Sequence, residues 1–187
     1  MIAALSRSLL CVSCLLLLGN VWAYADEAVK VQVVQDGQAI VVDMHMHSTA
    51  SVREAWSVLT DFAHMPSFVP NLKSSKVLEA HGNLLKVQQQ GSAKHGWLSF
   101  DFESLREIEL IPYEQINSHS IGGSVSQMNG VTRLVADATG TDIQFHSRSI
   151  PGFWVPPVIG LEFVRHEVAE QFRAMLEEME RRKFLRP

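Results

Sequence analysis

The stretch Val52–Glu79, VREAWSVLTDFAHMPSFVPNLKSSKVLE, carries the reading of the fold. Ser51 stands just before it and Glu54 three residues later, the spacing of a capping box. The hydroxyl can satisfy an orphan N–H of the first turn while the carboxylate reaches back to the cap. Val52, Ala55, Trp56, Leu59 and Phe62 then recur at helical spacing and form one apolar face. Pro66 and Pro70 prevent the helix from running on, since each lacks an N–H and restricts the residue before it. Phe68 and Val69 keep the broken segment apolar, and a strand follows over Ser74–Ala80.

This order of elements resembles the START-like, helix-grip superfamily, in particular its polyketide cyclase/dehydrase and coenzyme-Q-binding branch. The resemblance rests on Ala55-Trp56, Leu59-Thr60-Asp61-Phe62, Met65-Pro66, Phe68-Val69-Pro70-Asn71-Leu72 and Val77-Leu78-Glu79. It implies an α+β fold: a curved antiparallel sheet of about seven strands around a long C-terminal helix, with two short helices after the first strand and a cavity between sheet and helix. Members of such families bind lipids, quinones, steroids or polyketides, and some are enzymes, so the fold alone does not decide the function.

The remainder of the chain agrees with that architecture. Asp36-Gly37 divides two apolar runs and reads as a hairpin turn. From Ala39 to His47 the chain alternates, with Ile40, Val42, Met44 and Met46 on one face and Val41, Asp43, His45 and His47 on the other. Further strands are expected over Leu84–Gly91, Trp97–Ile111, Glu114–Ile121, Val131–Ala138 and Asp142–Ser149. Turns are expected at His81-Gly82-Asn83, His95-Gly96, Pro112, Asn129-Gly130 and Gly140. Short connections of this kind make an antiparallel meander. Leu161, Val164, Val168, Phe172, Met175 and Met179 then mark a long terminal helix with one apolar stripe. Pro156 and Pro157 suit its start, and Glu177 can pair with Arg181. Such a stripe must lie on the sheet.

The N-terminus reads as a targeting segment. Arg7 precedes an apolar run from Ser8 to Leu18 and the small-residue site Ala23-Tyr24-Ala25. This is the layout of a secretory signal peptide over residues 1–25, cleaved after Ala25, leaving one START-like domain over residues 26–187 in the periplasm or outside the cell, with a retained N-terminal anchor as the lesser alternative. Both cysteines, Cys11 and Cys14, fall inside it, so the mature chain is expected to hold no disulfide, thiol nucleophile or thiolate metal site. Cleavage removes Arg7 from the 16 basic residues and none of the 20 acidic ones, moving the net charge from −4 to −5. An acidic exported domain does not suit nucleic acid.

Motifs for chemistry are sparse. Asp43, His45 and His47 share a strand face, a geometry that could hold a metal. The regular alternation makes a plain solvent face the simpler reading, and no metal site is assigned. There is no GxSxG elbow, GxGxxG or Walker loop, so no catalytic residue and no cofactor is assigned. Ile121-Gly122-Gly123-Ser124, between two strands, suits a bulge or tight bend.

In the strand from Trp97, Leu98, Phe100, Phe102, Ile108 and Leu110 share one parity, and Ser104 and Arg106 fall among them. Two readings stay open. In a regular strand both polar residues face the cavity, and a buried Arg demands a partner or a polar ligand group. A β-bulge near Ser104 instead turns the face over and sends Arg106 to water. The apolar Leu105 favours the bulge. The connection from Ile150 to Ile159 is apolar for a loop. It suits either a portal or membrane-touching lip, or a plug in which Phe153 and Trp154 close one end of the core, and the plug is the simpler account.

The resulting expectation is an exported protein that sequesters an apolar small molecule or lipid, with transient membrane contact at loading. The cavity candidates are Trp56, Phe68, Trp97, Phe100, Phe102, Ser104, Arg106, Phe145, Phe153 and Trp154. The alternatives are a cyclase/dehydrase-type enzyme, for which Arg106, Tyr113 and His119 are the only polar candidates, and an interaction module that docks a partner near Trp154. A roomy apolar cavity favours carriage, two facing ionisable groups within it favour catalysis, and a filled interior with an exposed aromatic patch favours docking.

Overall fold

The structure, a computed structural model, describes residues 28–95, 98–152 and 159–185. The expected signal peptide with Cys11 and Cys14, the prolines Pro156 and Pro157, and the candidates Trp97, Phe153 and Trp154 lie outside the described residues.

The capping box forms as read: the Ser51 hydroxyl accepts from the Glu54 N–H, and the Glu54 carboxylate accepts from the Ser51 N–H at 2.9 Å. It opens α1 (Val52–Leu59), whose Ala55, Val58 and Leu59 are buried. Pro66 sits in the first turn of a 3-10 segment, Met65–Ser67, which is the second short helix. Ahead of these, β1 (Val29–Asp36) and β2 (Ala39–Ser48) form a hairpin whose turn holds Gly37 at φ +63°. The helices therefore follow the second strand rather than the first, and the sheet gains an eighth strand. After α1 come β3 (Leu72–His81), β4 (Leu84–His95), β5 (Leu98–Ile111), β6 (Gln115–Gly123), β7 (Val125–Ala136) and β8 (Thr141–Pro151). The chain closes with α2 (Ile159–Phe184). The sheet is antiparallel throughout, in the order β1-β2-β8-β7-β6-β5-β4-β3.

One expected turn is overturned. Asn129-Gly130 lies inside β7, where Gly130 pairs with Ser118 on β6 and Ser147 on β8. A Cβ on Gly130 would come within 2.8 Å of Ser118 Oγ and 3.4 Å of the Phe145 ring. The glycine serves close side-chain packing, one of the reasons a strand tolerates it. The tight bend falls instead at Gly123-Ser124, where Gly123 has φ +107° and a Cβ would collide with the Glu103 carbonyl.

Two regions divide the space between sheet and helix. Met44, Met46, Val58, Leu59, Ile143, Phe172, Leu176 and Met179 belong to one buried cluster, which ties α1 and the C-terminal half of α2 to the sheet. Each fully buried side chain of this kind contributes about 1.5–3 kcal/mol. Polar ties lock the same end. Glu180 accepts from the Ser48 hydroxyl at 2.8 Å and the Thr49 hydroxyl at 2.6 Å, and Arg182 reaches Asp61 at 2.7 Å. Arg181 pairs with Glu178 at 2.6 Å instead of the expected Glu177. The basic helix end is thus a clamp as well as a complement to the helix dipole. Among the described residues no helix is long and apolar enough to cross a membrane.

Candidate functional site

Toward the N-terminal half of α2 the sheet and helix separate, leaving a cavity of about 290 Å³. Val164, Val168, Gln171, Phe172 and Met175 form its helical wall. Leu59, Phe62, Met65, Val69 and Leu72, from α1 through the Pro-broken segment into β3, contribute the edge. The sheet contributes Val42, Gln89, Phe102, Arg106, Ile108, Ile116, Ser118, Met128, Thr132, Phe145, Ser147 and Ser149. Among the described residues the lining is therefore mainly apolar, with hydroxyls and amides set among the hydrocarbon and one ionisable side chain, Arg106.

The backbone pairing explains why Arg106 points inward. β4 and β5 pair without a register break from Leu84↔Glu109 to His95↔Leu98, so β5 stays regular and its even positions face the helix. A bulge does exist, but in the neighbouring strand. Leu105 pairs with Gly122 and Arg106 with Ser120, leaving Ile121 as the extra residue in β6. A bulge on the partner accommodates the twist without turning β5 over, so the expectation that a bulge at Ser104 sends Arg106 to water is corrected.

Arg106 donates from Nη2 to the Gln89 side-chain oxygen. Gln89 in turn donates from Nε2 to Ser75 Oγ at 3.1 Å and to Met65 Sδ at 3.4 Å. The Arg106 Nε is sealed from solvent and has no hydrogen-bond partner. Burial lowers the guanidinium to about 10, so the side chain stays cationic at neutral pH. No ion pair to Arg106 forms among the described residues, whereas Arg148, Arg165, Arg181 and Arg182 each meet a carboxylate.

The candidates divide. Phe102, Arg106 and Phe145 line the cavity, and the Phe145 ring lies 5.2 Å from that of Phe172 on α2. Ser104 is part-buried opposite Gln89, in the same inward row, but outside the lining. Trp56 packs on the buried cluster from outside the lining and tilts against Tyr113 at 5.7 Å. Phe68 lies under the Arg182 guanidinium at 5.6 Å, part of the helix clamp. Phe100 is 40% exposed and meets Phe163 of α2 edge-on at 5.3 Å, beyond the lining. Helical spacing put Trp56 on the apolar face of α1 and strand parity put Phe100 and Phe102 on one face of β5, but neither could say which end of α2 each would meet.

Neither proposed polar companion of Arg106 stands with it. His119 is exposed and bonds Asn129 at 2.8 Å, and Tyr113, at φ +66°, lies under the Arg53 guanidinium. On β2, Asp43 meets His146 at 2.8 Å, His45 approaches Asp142 and His47 approaches Asp137, so this polar face pairs outward along its neighbours. Two sets of side chains with metal-ligating atoms close together occur among the described residues, His47/Asp137/Asp142 and His166/Glu167/Glu170, and both lie outside the cavity lining. Sequence reasoning missed Gln89, the residue that orients Arg106. The signal available was its parity with Val87, which shares the inward face of β4.

A sheet wrapped on a terminal helix, with an apolar cavity between them, defines a helix-grip ligand-binding architecture. The chain belongs to the polyketide cyclase/dehydrase and lipid transport family, whose model matches residues 48–176. Among solved structures it is similar to a STAR-related lipid transfer protein from Xanthomonas axonopodis, at 15% identity and a TM-score of 0.68, covering 82% of this chain and 94% of that one. It is also similar to the Zhui aromatase/cyclase from Streptomyces sp. R1128, at 16% identity and a TM-score of 0.64, covering 77% and 95%. A START superfamily protein from Mycobacterium smegmatis matches at 12% identity and a TM-score of 0.63, covering 75% and 97%. At such identities the likeness is one of fold. Among curated proteins none matches the chain.

Proposed function

We propose that this protein is an exported carrier that sequesters an apolar or amphipathic small molecule in the cavity between α2 and the sheet. The observation that carries the reading is the lining itself: hydrocarbon from both layers with one ionisable group. Entry of a guest removes apolar area from water, at roughly 25 cal/mol per Å². The few polar groups orient it. Acid–base catalysis asks for two positioned ionisable groups, and among the described residues the lining offers Arg106 alone, so carriage is the better supported function. The lipid transfer protein among the structural neighbours is in keeping with it. Export rests on Arg7, the apolar run Ser8–Leu18 and Ala23-Tyr24-Ala25.

Native mass spectrometry of the exported protein, followed by solvent extraction, tests both parts. The expected result is a chain starting near Asp26 that carries a removable small-molecule mass. A protein that retains residues 1–25, or a mature protein that neither carries nor takes up any apolar compound, overturns the corresponding half.

A further inference from the structure

Arg106 is the unusual group in this molecule. Its neighbours along the inward face of β5 are Phe102, Ser104 and Ile108, and its Nε–H is sealed and unused. Its one hydrogen-bond partner, Gln89, is a neutral amide already committed to Ser75 and Met65. That chain holds the guanidinium in place but cannot neutralise it. Arg106 is half-buried with its Nε sealed, and a charge partly withdrawn from water without a counter-ion is destabilising. If the residue served packing alone, a hydrocarbon side chain would fill the same place at lower cost.

We propose that the guest is a small amphipathic acid whose anionic oxygens bind Arg106 while its hydrocarbon lies against the apolar wall of α2. The assignment rests on the carrier reading and names its ligand class. A carboxylate in the cavity supplies the missing negative charge and accepts from the part of the guanidinium that faces the lining, in the geometry guanidinium favours. A neutral carbonyl or hydroxyl can accept a hydrogen bond there but leaves the charge unbalanced. Ser118 and Ser147, which also line the cavity, offer further donors to an oxygen-rich head. The guanidinium remains charged at neutral pH even though burial lowers it. Size limits the tail. A cavity of about 290 Å³ stands at the small end of ligand sites, which span roughly 300–1,000 Å³. A single short chain or a small ring system suits it, and a two-chain phospholipid does not.

The test is calorimetric titration of the mature wild-type protein with decanoic acid, decanol and methyl decanoate, three probes of one chain length and different heads. Decanoic acid is expected to bind about tenfold or more tightly than either neutral probe, the size of a charge-assisted hydrogen bond. Arg106→Met should remove that preference while still binding decanol, and Arg106→Lys should restore part of it. Equal affinity for all three probes overturns the acid assignment and leaves the carrier reading standing. Binding of none also overturns the assignment, and the carrier reading falls with it only if the purified mature protein yields no extractable small molecule and takes up no other apolar compound. A preference for the acid that survives in Arg106→Met also overturns the assignment. Should that variant fail to fold, the wild-type comparison alone decides.

Discussion

The ring of Phe102 occupies the space that a Cβ on Gly91 would need. The two residues face each other across β4 and β5, and the Asn71 carbonyl presses on the same spot from the other side. A glycine in mid-strand weakens the strand, and here it admits an aromatic ring and a second backbone. The cavity wall at Phe102 is therefore set by an absent side chain. Gly91→Ala should force the ring or the Asn71 backbone to move and cost about 1–3 kcal/mol. Urea denaturation measures it, and a loss under about 0.5 kcal/mol would show that the wall yields freely.

Phe102 itself tests the cavity. It is half-buried in the lining, and Phe102→Arg places a second cation beside Arg106. Uptake of apolar probes should disappear while circular dichroism stays that of a folded domain. Unchanged uptake would remove Phe102 from the binding wall.

Arg182 is the keystone of the helix clamp. It reaches Asp61 at 2.7 Å and Glu178 at 2.6 Å, and Glu178 is 6% exposed. Arg182→Ala leaves both carboxylates short of a partner and should cost about 2–4 kcal/mol. Lys73→Ala, which breaks an exposed pair with Asp101, should leave stability nearly unchanged. The pH dependence follows with a definite sign. Hydrogen bonds from Arg181 and then Arg182 hold the Glu178 carboxyl down at about 2. Asp61 is also held low: burial opposes this, but His64 and Arg182 outweigh it. The unfolded chain binds more protons than the folded one between about pH 4.5 and 2. This stability is thus present above about pH 4.5 and is lost as pH falls toward 2. Denaturant midpoints across that window should fall steeply in the wild type and more gently in Arg182→Ala.

Glu167 behaves in the opposite sense. It is 6% exposed, accepts from Asn71 at 2.5 Å, and has one oxygen without a partner. Burial, and then the charge of Glu170, push its carboxyl up to about 7. The folded state holds the extra proton between about pH 4.5 and 7, so this group's contribution weakens as pH rises through that window. Glu167→Gln should raise the melting temperature relative to wild type at pH 8, by about 1–2 kcal/mol of stability, and change little at pH 5. A gain of equal size at both pH values would show that the carboxyl does not titrate there.

Residues that decide structure locally were readable from the chain. Ser51 and Glu54 cap α1 whatever lies around them, and Gly37 turns the first hairpin because a glycine adopts positive φ at little cost. Gly130 misled for the converse reason. Asn-Gly is a strong turn signal in isolation, yet here the glycine clears room for Ser118 and Phe145 from two other strands. The candidate site was legible in part: parity placed Phe102 inward and position alone nominated Phe145, but the partner of Arg106 depended on pairing.

By itself the amino-acid sequence determined the capped start of α1, the antiparallel meander and the apolar stripe of α2, because capping, periodicity and turn chemistry act over a few residues, and the motif over Val52–Glu79 carried the resemblance to a family of folds. The tertiary structure alone decided which strand carries the bulge, that Arg106 turns inward to Gln89, and which aromatics meet the cavity rather than the clamp. Those outcomes depend on register between strands far apart in the chain and on where a rigid helix touches a curved sheet. No short stretch of residues encodes either.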